Sequence, residues 1–149
     1  MIAWRITKVR YPPFDGTGAR DWGGRWNSGG RSAVYAADSF AGAILEILAH
    51  ALRPRTLPGQ HHAVRIVIPD SAVERVDPPD VAGWNDVGSR AAVEYGDAWY
   101  DARRSVALRV PSLPARPVGS LVVINTAHSD ADGIEVSAPF PVPWDERLF

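Results

Sequence analysis

A lone carboxylate sits in a helix of small side chains. The segment SFAGAILEILAHAL, residues 39–52, carries Glu46 as its one acidic group. At about a hundred degrees per residue, Ala41, Ile44, Leu45, Leu48 and Leu52 form a stripe expected to face the core, and Glu46 lies well away from it. Three and four residues from Glu46 stand Gly42, Ala43, Ala49 and His50, where a solvent face would normally hold several charges. Glycine inside a helix costs roughly 1 kcal/mol against alanine, so Gly42 asks for a reason. Small side chains around one carboxylate suit a surface that another body approaches closely. An ordinary exposed glutamate fits the same pattern, and both readings stand.

The second chemical segment is GTGARDWGGRWNSGG, residues 16–30. Glycines let backbone N–H groups approach an anion, and an arginine beside them can fork onto phosphate oxygens. Arg25 is the natural candidate, with Arg20 and Arg31 as spares. Trp22 and Trp26 offer rings that could stack on a base or a nicotinamide. A mobile surface loop explains the glycines equally well. The segment is neither a P-loop nor a dinucleotide fingerprint, because neither G-x-x-x-x-G-K-[ST] nor G-x-G-x-x-G occurs. No G-x-S-x-G elbow or H-E-x-x-H is present, which counts against a conventional hydrolase. His61 and His62 are neighbours on an expected strand and point to opposite faces, so no metal site is expected from them.

The elements that must position these residues follow from periodicity and turn signals. Strands are expected over Ile2 to Ile6, Ala33 to Ala36, Ala63 to Ile68, Ser105 to Val110, Leu121 to Asn125 and Ile134 to Val136. Tyr11 to Arg31 reads as a long loop, and loops of that length are usually functional. Asp38 or Ser39 caps a helix running to about Leu52, before Pro54. A second helix is expected from Ser89 to Arg104, after a surface excursion at Pro78, Pro79 and Gly83. The order predicts an α+β domain with a mixed or split sheet and flanking helices, residues 1–149 forming a single domain.

Composition narrows the function. Of 149 residues, 46% are apolar and 22% charged, as in a globular chain. Sixteen basic and 17 acidic residues leave a net charge of −1, which disfavours direct nucleic-acid binding. There is no cysteine, so disulfides and thiolate metal sites are excluded. Neither a signal peptide nor a membrane span is read, and the expected location is the cytoplasm. Six tryptophans leave open a non-catalytic ligand- or partner-binding module, although large core anchors are the commoner use.

The block GGRWNSGGRSAVYAADSFAGAILEILAHA, residues 23–51, closely resembles the signature of the RES domain. That domain is named for an arginine, a glutamate and a serine, which match Arg25 in GGRWN, Glu46 in AILEILAH and Ser112 in LRVPS. WRI at Trp4 to Ile6, Tyr35 in AVYAA, GDAWY at Gly96 to Tyr100 and DERLF at Asp145 to Phe149 extend the resemblance along the chain. One departure is Asn125-Thr126-Ala127-His128, where the family usually has Asn-Pro-x-His.

The resemblance implies a fold related to ADP-ribosyltransferase toxins, with a split sheet around an NAD⁺ cleft. It also implies a toxin that splits the nicotinamide–ribose bond and passes ADP-ribose to water, phosphate or a protein. The usual partner is an Xre-type helix-turn-helix antitoxin that blocks the cleft. In that chemistry Glu46 stabilises positive charge on the ribose. Arg25 grips the pyrophosphate, with Arg5 a second candidate. Tyr35 or Trp26 could stack on the nicotinamide, and Ser112 could position the ribose or the amide. NAD⁺ is the substrate, and no metal is called for.

Overall fold

Alternation along the first strand, β1 (Ile2–Lys8), sends Ala3 into one apolar cluster and Trp4 and Ile6 into another on the opposite face. In β2 (Ala33–Ala37), Val34 and Ala36 join the first cluster and Ala33 and Ala37 the second. Such strands must lie in a sheet covered on both sides. The structure, a computed structural model, describes residues 1–51 and 59–149. Its further strands are β3 (His61–Val67), β4 (Val73–Arg75), β5 (Ala107–Pro111), β6 (Ser120–Asn125), β7 (Glu135–Val136) and β8 (Phe140–Pro141). They form one sheet in the order β4–β5–β6–β2–β1–β3–β7, with β8 also on β3. The β4–β5 pair is parallel and the other pairs are antiparallel. The mixed α+β expectation is borne out.

The sheet is nearly divided in the middle. β1 and β2 meet at one registered pair, Trp4 with Ala37, whereas β1 and β3 share seven and β2 and β6 share five. Where the strands part, the Tyr35 carbonyl lacks a ladder partner, and a buried carbonyl must find one elsewhere. Arg5 supplies it, donating from Nη1 at 2.9 Å.

Three α-helices occur among the described residues. α1 (Thr17–Trp22) lies inside the segment expected to be a structureless loop. α2 (Phe40–Ala49) is capped by Ser39, whose side chain accepts from the Gly42 N–H, and α3 (Arg90–Asp101) by Ser89, which accepts from the Ala92 N–H. Ala43 of α2 and Ala92 and Trp99 of α3 enter the same apolar cluster, so both helices cover one face of the sheet.

The stripe expected on α2 is corrected. Ala41 and Leu45 face solvent, Leu45 being 41% exposed, while Gly42 and Ala43 are buried. A Cβ on Gly42 would stand 3.3 Å from the Ala37 Cβ and 2.9 Å from the Ser39 Oγ. The helix turns its smallest side chains to β2 because it packs too closely there for leucine. Leu52, the last member of that stripe, lies outside the described residues. β1 runs two residues beyond the expected Ile6, and β3 starts two before Ala63, because Lys8 and Thr7 pair with His61 and His62. α3 ends at Asp101 instead of Arg104, and β4 and β8 were not expected.

Candidate functional site

A cleft of about 700 Å³ opens where β1 and β2 part, within the roughly 300–1,000 Å³ of small-molecule sites. Its walls include Trp4, Arg5 and Ile6 of β1 and Tyr35, Ala36 and Ala37 of β2. Residues of both strand faces can share one cavity because the strands diverge. α2 adds Glu46 and Ile47, the glycine loop adds Gly23, Gly24 and Arg25, and Leu113 and Pro114 close a further side. Most of this lining is apolar. The lining side chains that can charge or hydrogen-bond are two guanidiniums, one carboxylate, one phenol, the indole of Trp4 and the imidazole of His50.

Glu46 projects into this cleft from the inward side of α2. Its Oε1 accepts a hydrogen bond of 2.8 Å from the Ser112 Oγ. Ser112 follows β5 and is 2% exposed, and its Oγ also accepts from the Ala115 N–H at 3.3 Å. Its hydroxyl proton is thereby committed to the carboxylate. Ser112 therefore orients Glu46 from behind and does not itself line the cleft, where the sequence suggested a contact with ribose or amide.

The glycine loop is held from two sides. Tyr35 lies in the middle of β2, and its hydroxyl donates to the Asn27 Oδ1 at 2.6 Å and accepts from the Trp26 N–H at 3.0 Å. Burial pushes the Tyr35 phenol well up, with the Trp26 hydrogen bond opposing. The hydroxyl is thus neutral and fully used, which leaves the ring to line the cleft. Gly24 is required beside it, because a Cβ there would stand 2.6 Å from the Tyr35 hydroxyl oxygen. Arg25 lines the cleft and donates from Nη1 to the carbonyls of Trp84 and Asp86 at 3.1 and 3.0 Å. Those two acceptors fix one end of the fork and leave the other nitrogens for a ligand.

Other sequence candidates fall elsewhere. Trp26 is fully buried and stacks on Trp84 at 6.4 Å, edge-on to Tyr95. It anchors the loop in the core and offers no face to a nicotinamide, so that role is withdrawn. Arg31 is bound to Asp97 and Asp101, which removes it as a spare cation. Asn125 and His128 build the turn after β6: the Asn125 Oδ1 accepts from the Ala127 N–H, and the His128 Nδ1 from the Asp130 N–H. Arg5 lines the cleft, and its Nε is sealed from solvent with no partner among the described residues. Burial lowers the affinity of this guanidinium for its proton, and Asp15 partly offsets that.

His50 lines the cleft too and carried no role in the sequence reading. Its Nδ1 lies 2.7 Å from the Glu46 carbonyl, which can only accept, so Nδ1 donates and the ring is pinned to its own helix. The signal was its spacing, one turn beyond Glu46 on the same face.

A split sheet with a serine-held carboxylate and two arginines around one cavity makes this an α+β domain with a cleft of small-molecule size. Residues 2–145 match the sequence profile of the RES domain, and the chain belongs to that family. It is 38% identical over 154 residues to the Prs ADP-ribosylating toxin of a Sphingobium species, covering 97% of this chain and 94% of that protein. It is 33% identical over 150 residues to Toxin Res of Pseudomonas putida, covering 100% of each. The fold matches the crystal structure of the M. tuberculosis MbcT–MbcA toxin–antitoxin complex with a TM-score of 0.75, over 95% of this chain and 83% of that one, at 21% identity.

Proposed function

We propose that this chain is the toxin of a toxin–antitoxin pair and that its cleft binds NAD⁺ and breaks the nicotinamide–ribose bond. The observation that carries this reading is the Ser112–Glu46 pair: one oriented carboxylate in a mostly apolar cavity that also holds two arginines. The name of the 38% identical relative, an ADP-ribosylating toxin, supports it.

Glu46 acts where positive charge grows. As the C–N bond breaks, its electron pair goes to the ring nitrogen and neutral nicotinamide leaves. The ribose carbon takes on cationic character, which a carboxylate placed beforehand in a dry site stabilises. Arg25 meets the pyrophosphate with its free nitrogens, and Arg5 adds positive charge to the cleft wall. The Tyr35 ring packs against the flat base, while its hydroxyl holds the loop. The acceptor then bonds to the ribose carbon and gives up a proton.

Water, phosphate and a protein side chain all require this first step. Mass spectrometry after incubation with NAD⁺, phosphate and cell lysate separates them as free ADP-ribose, ADP-ribose-1″-phosphate or a modified protein. Intact NAD⁺ in every arm would overturn the reading. The partner is an Xre-type antitoxin, and the apolar outward side of α2 beside the cleft, with Ala41 and Leu45 exposed, suits burial by another protein.

A further inference from the structure

The Gly96–Tyr100 segment on α3 contributes nothing to the lining of the cleft, yet it holds the loop that does. The Asp97 carboxylate accepts from the Ser28 N–H at 2.9 Å and from the Ser28 Oγ at 2.6 Å. It also pairs with the Arg31 guanidinium at 3.2 Å, and Arg31 in turn donates to the Ser28 Oγ at 2.6 Å. Asp97 is 20% exposed, so these bonds are partly shielded from water. One residue before it, Gly96 is pressed against the Trp26 carbonyl so closely that any Cβ would collide with it. α3 thereby grips the chain just after Arg25 at two backbone positions, the Trp26 carbonyl and the Ser28 N–H.

The consequence falls on Arg25. Gly23, Gly24 and Arg25 are tied ahead by the Gly23 N–H to Ala19 carbonyl bond at 2.8 Å, across the loop by the Gly24 N–H to Asn27 carbonyl bond at 2.8 Å, and behind by the Tyr35 hydroxyl and the Asp97 seat. An arginine fork discriminates by direction as well as charge, so a shift of its backbone costs binding. Glu46 is held separately, by Ser112, and does not touch Asp97. The two halves of the site thus have separate supports.

Resting on the NAD⁺ reading above, we infer that Asp97 is a positioning residue that sets substrate affinity through the Arg25 loop and leaves the bond-breaking step to Glu46. Asp97→Asn keeps an acceptor for the Ser28 N–H but removes the charge that holds Arg31. The expected result is a rise in KM for NAD⁺ of about tenfold with kcat within about threefold of wild type, the signature of lost binding without lost chemistry. A purely structural role would lower the folded fraction, and hence apparent kcat, at constant KM. Glu94→Gln, which breaks an exposed pair with Arg90 on the same helix, serves as the control and should leave both constants unchanged. Ser28→Ala removes one of the Asp97 bonds and should move KM the same way by less, which decides the matter if the Asp97 variant fails to fold. Calorimetric NAD⁺ affinity on the Glu46→Gln background gives an arm that needs no turnover. Unchanged KM and affinity in folded Asp97→Asn and Ser28→Ala would overturn this inference alone, as would a fall in kcat at constant KM. No NAD⁺ binding by any form, wild type included, would overturn the reading it rests on as well.

Discussion

The Ser112 hydroxyl has one proton, and the structure gives it to Glu46. A hydrogen bond to a charged group is worth roughly 1.5–3 kcal/mol, so removing it frees the carboxylate to rotate away from the ribose. Ser112→Ala should therefore lower kcat for nicotinamide release by about ten- to a hundredfold with NAD⁺ affinity nearly intact. Arg25→Ala should do the reverse, weakening affinity, and Arg25→Lys should restore it in part, because lysine brings charge without the planar fork. Steady-state kinetics on both sets reads the contrast, and equal KM in wild type and both Arg25 variants would remove Arg25 from the binding site. The isolation of Glu46 among small residues was legible, and the structure puts that carboxylate in the cleft. The role of Ser112 was not: a serine after a proline reads as a turn residue, and its carboxylate partner lies 66 positions away. Trp26 misled for a related reason, since a tryptophan in a glycine loop looks free to stack until Trp84 and Tyr95 close around it.

At the scale of elements, α2 was recognised by its cap and apolar content but assigned the wrong inward face. Its sequence is apolar almost all round, so periodicity offers little contrast, and the larger side chains drew the assignment. Close packing against β2 decided otherwise and left Leu45 outside. Gly42→Ala tests this. On propensity alone the change should stabilise the helix by roughly 1 kcal/mol. Because the added Cβ meets the capping Ser39 Oγ and the Ala37 Cβ, the melting temperature should instead fall, and a rise would contradict the close-packed arrangement. α1 was missed because six residues with glycine among them carry almost no helical pattern. β8 spans two residues and β4 three, too short for any alternation to register. The division between β1 and β2 is a property of pairing, which no single strand announces.

At the scale of the whole molecule, the cleft, the near-neutral charge and the apolar rim of α2 belong together. A net charge of −1 gives no surplus for phosphate backbones, so DNA contact by the pair is expected from the antitoxin. Of the six tryptophans, Trp26, Trp84 and Trp99 are buried core anchors, while Trp22 is 90% exposed and Trp4 lines the cleft. Among the described residues no helix is long and apolar enough to cross a membrane. An antitoxin segment seated in the cleft should compete with NAD⁺, so purified antitoxin added without DNA should slow nicotinamide release, and undiminished release at saturation would defeat the plug. Glu46 is the residue on which the proposed NAD⁺ cleavage turns. The direct measurement is nicotinamide release from NAD⁺ by the purified chain beside its Glu46→Gln variant, with folding checked by circular dichroism. Release by the wild type and a loss on the order of a hundredfold or more in the variant is the predicted result, while equal release by a folded variant would contradict it.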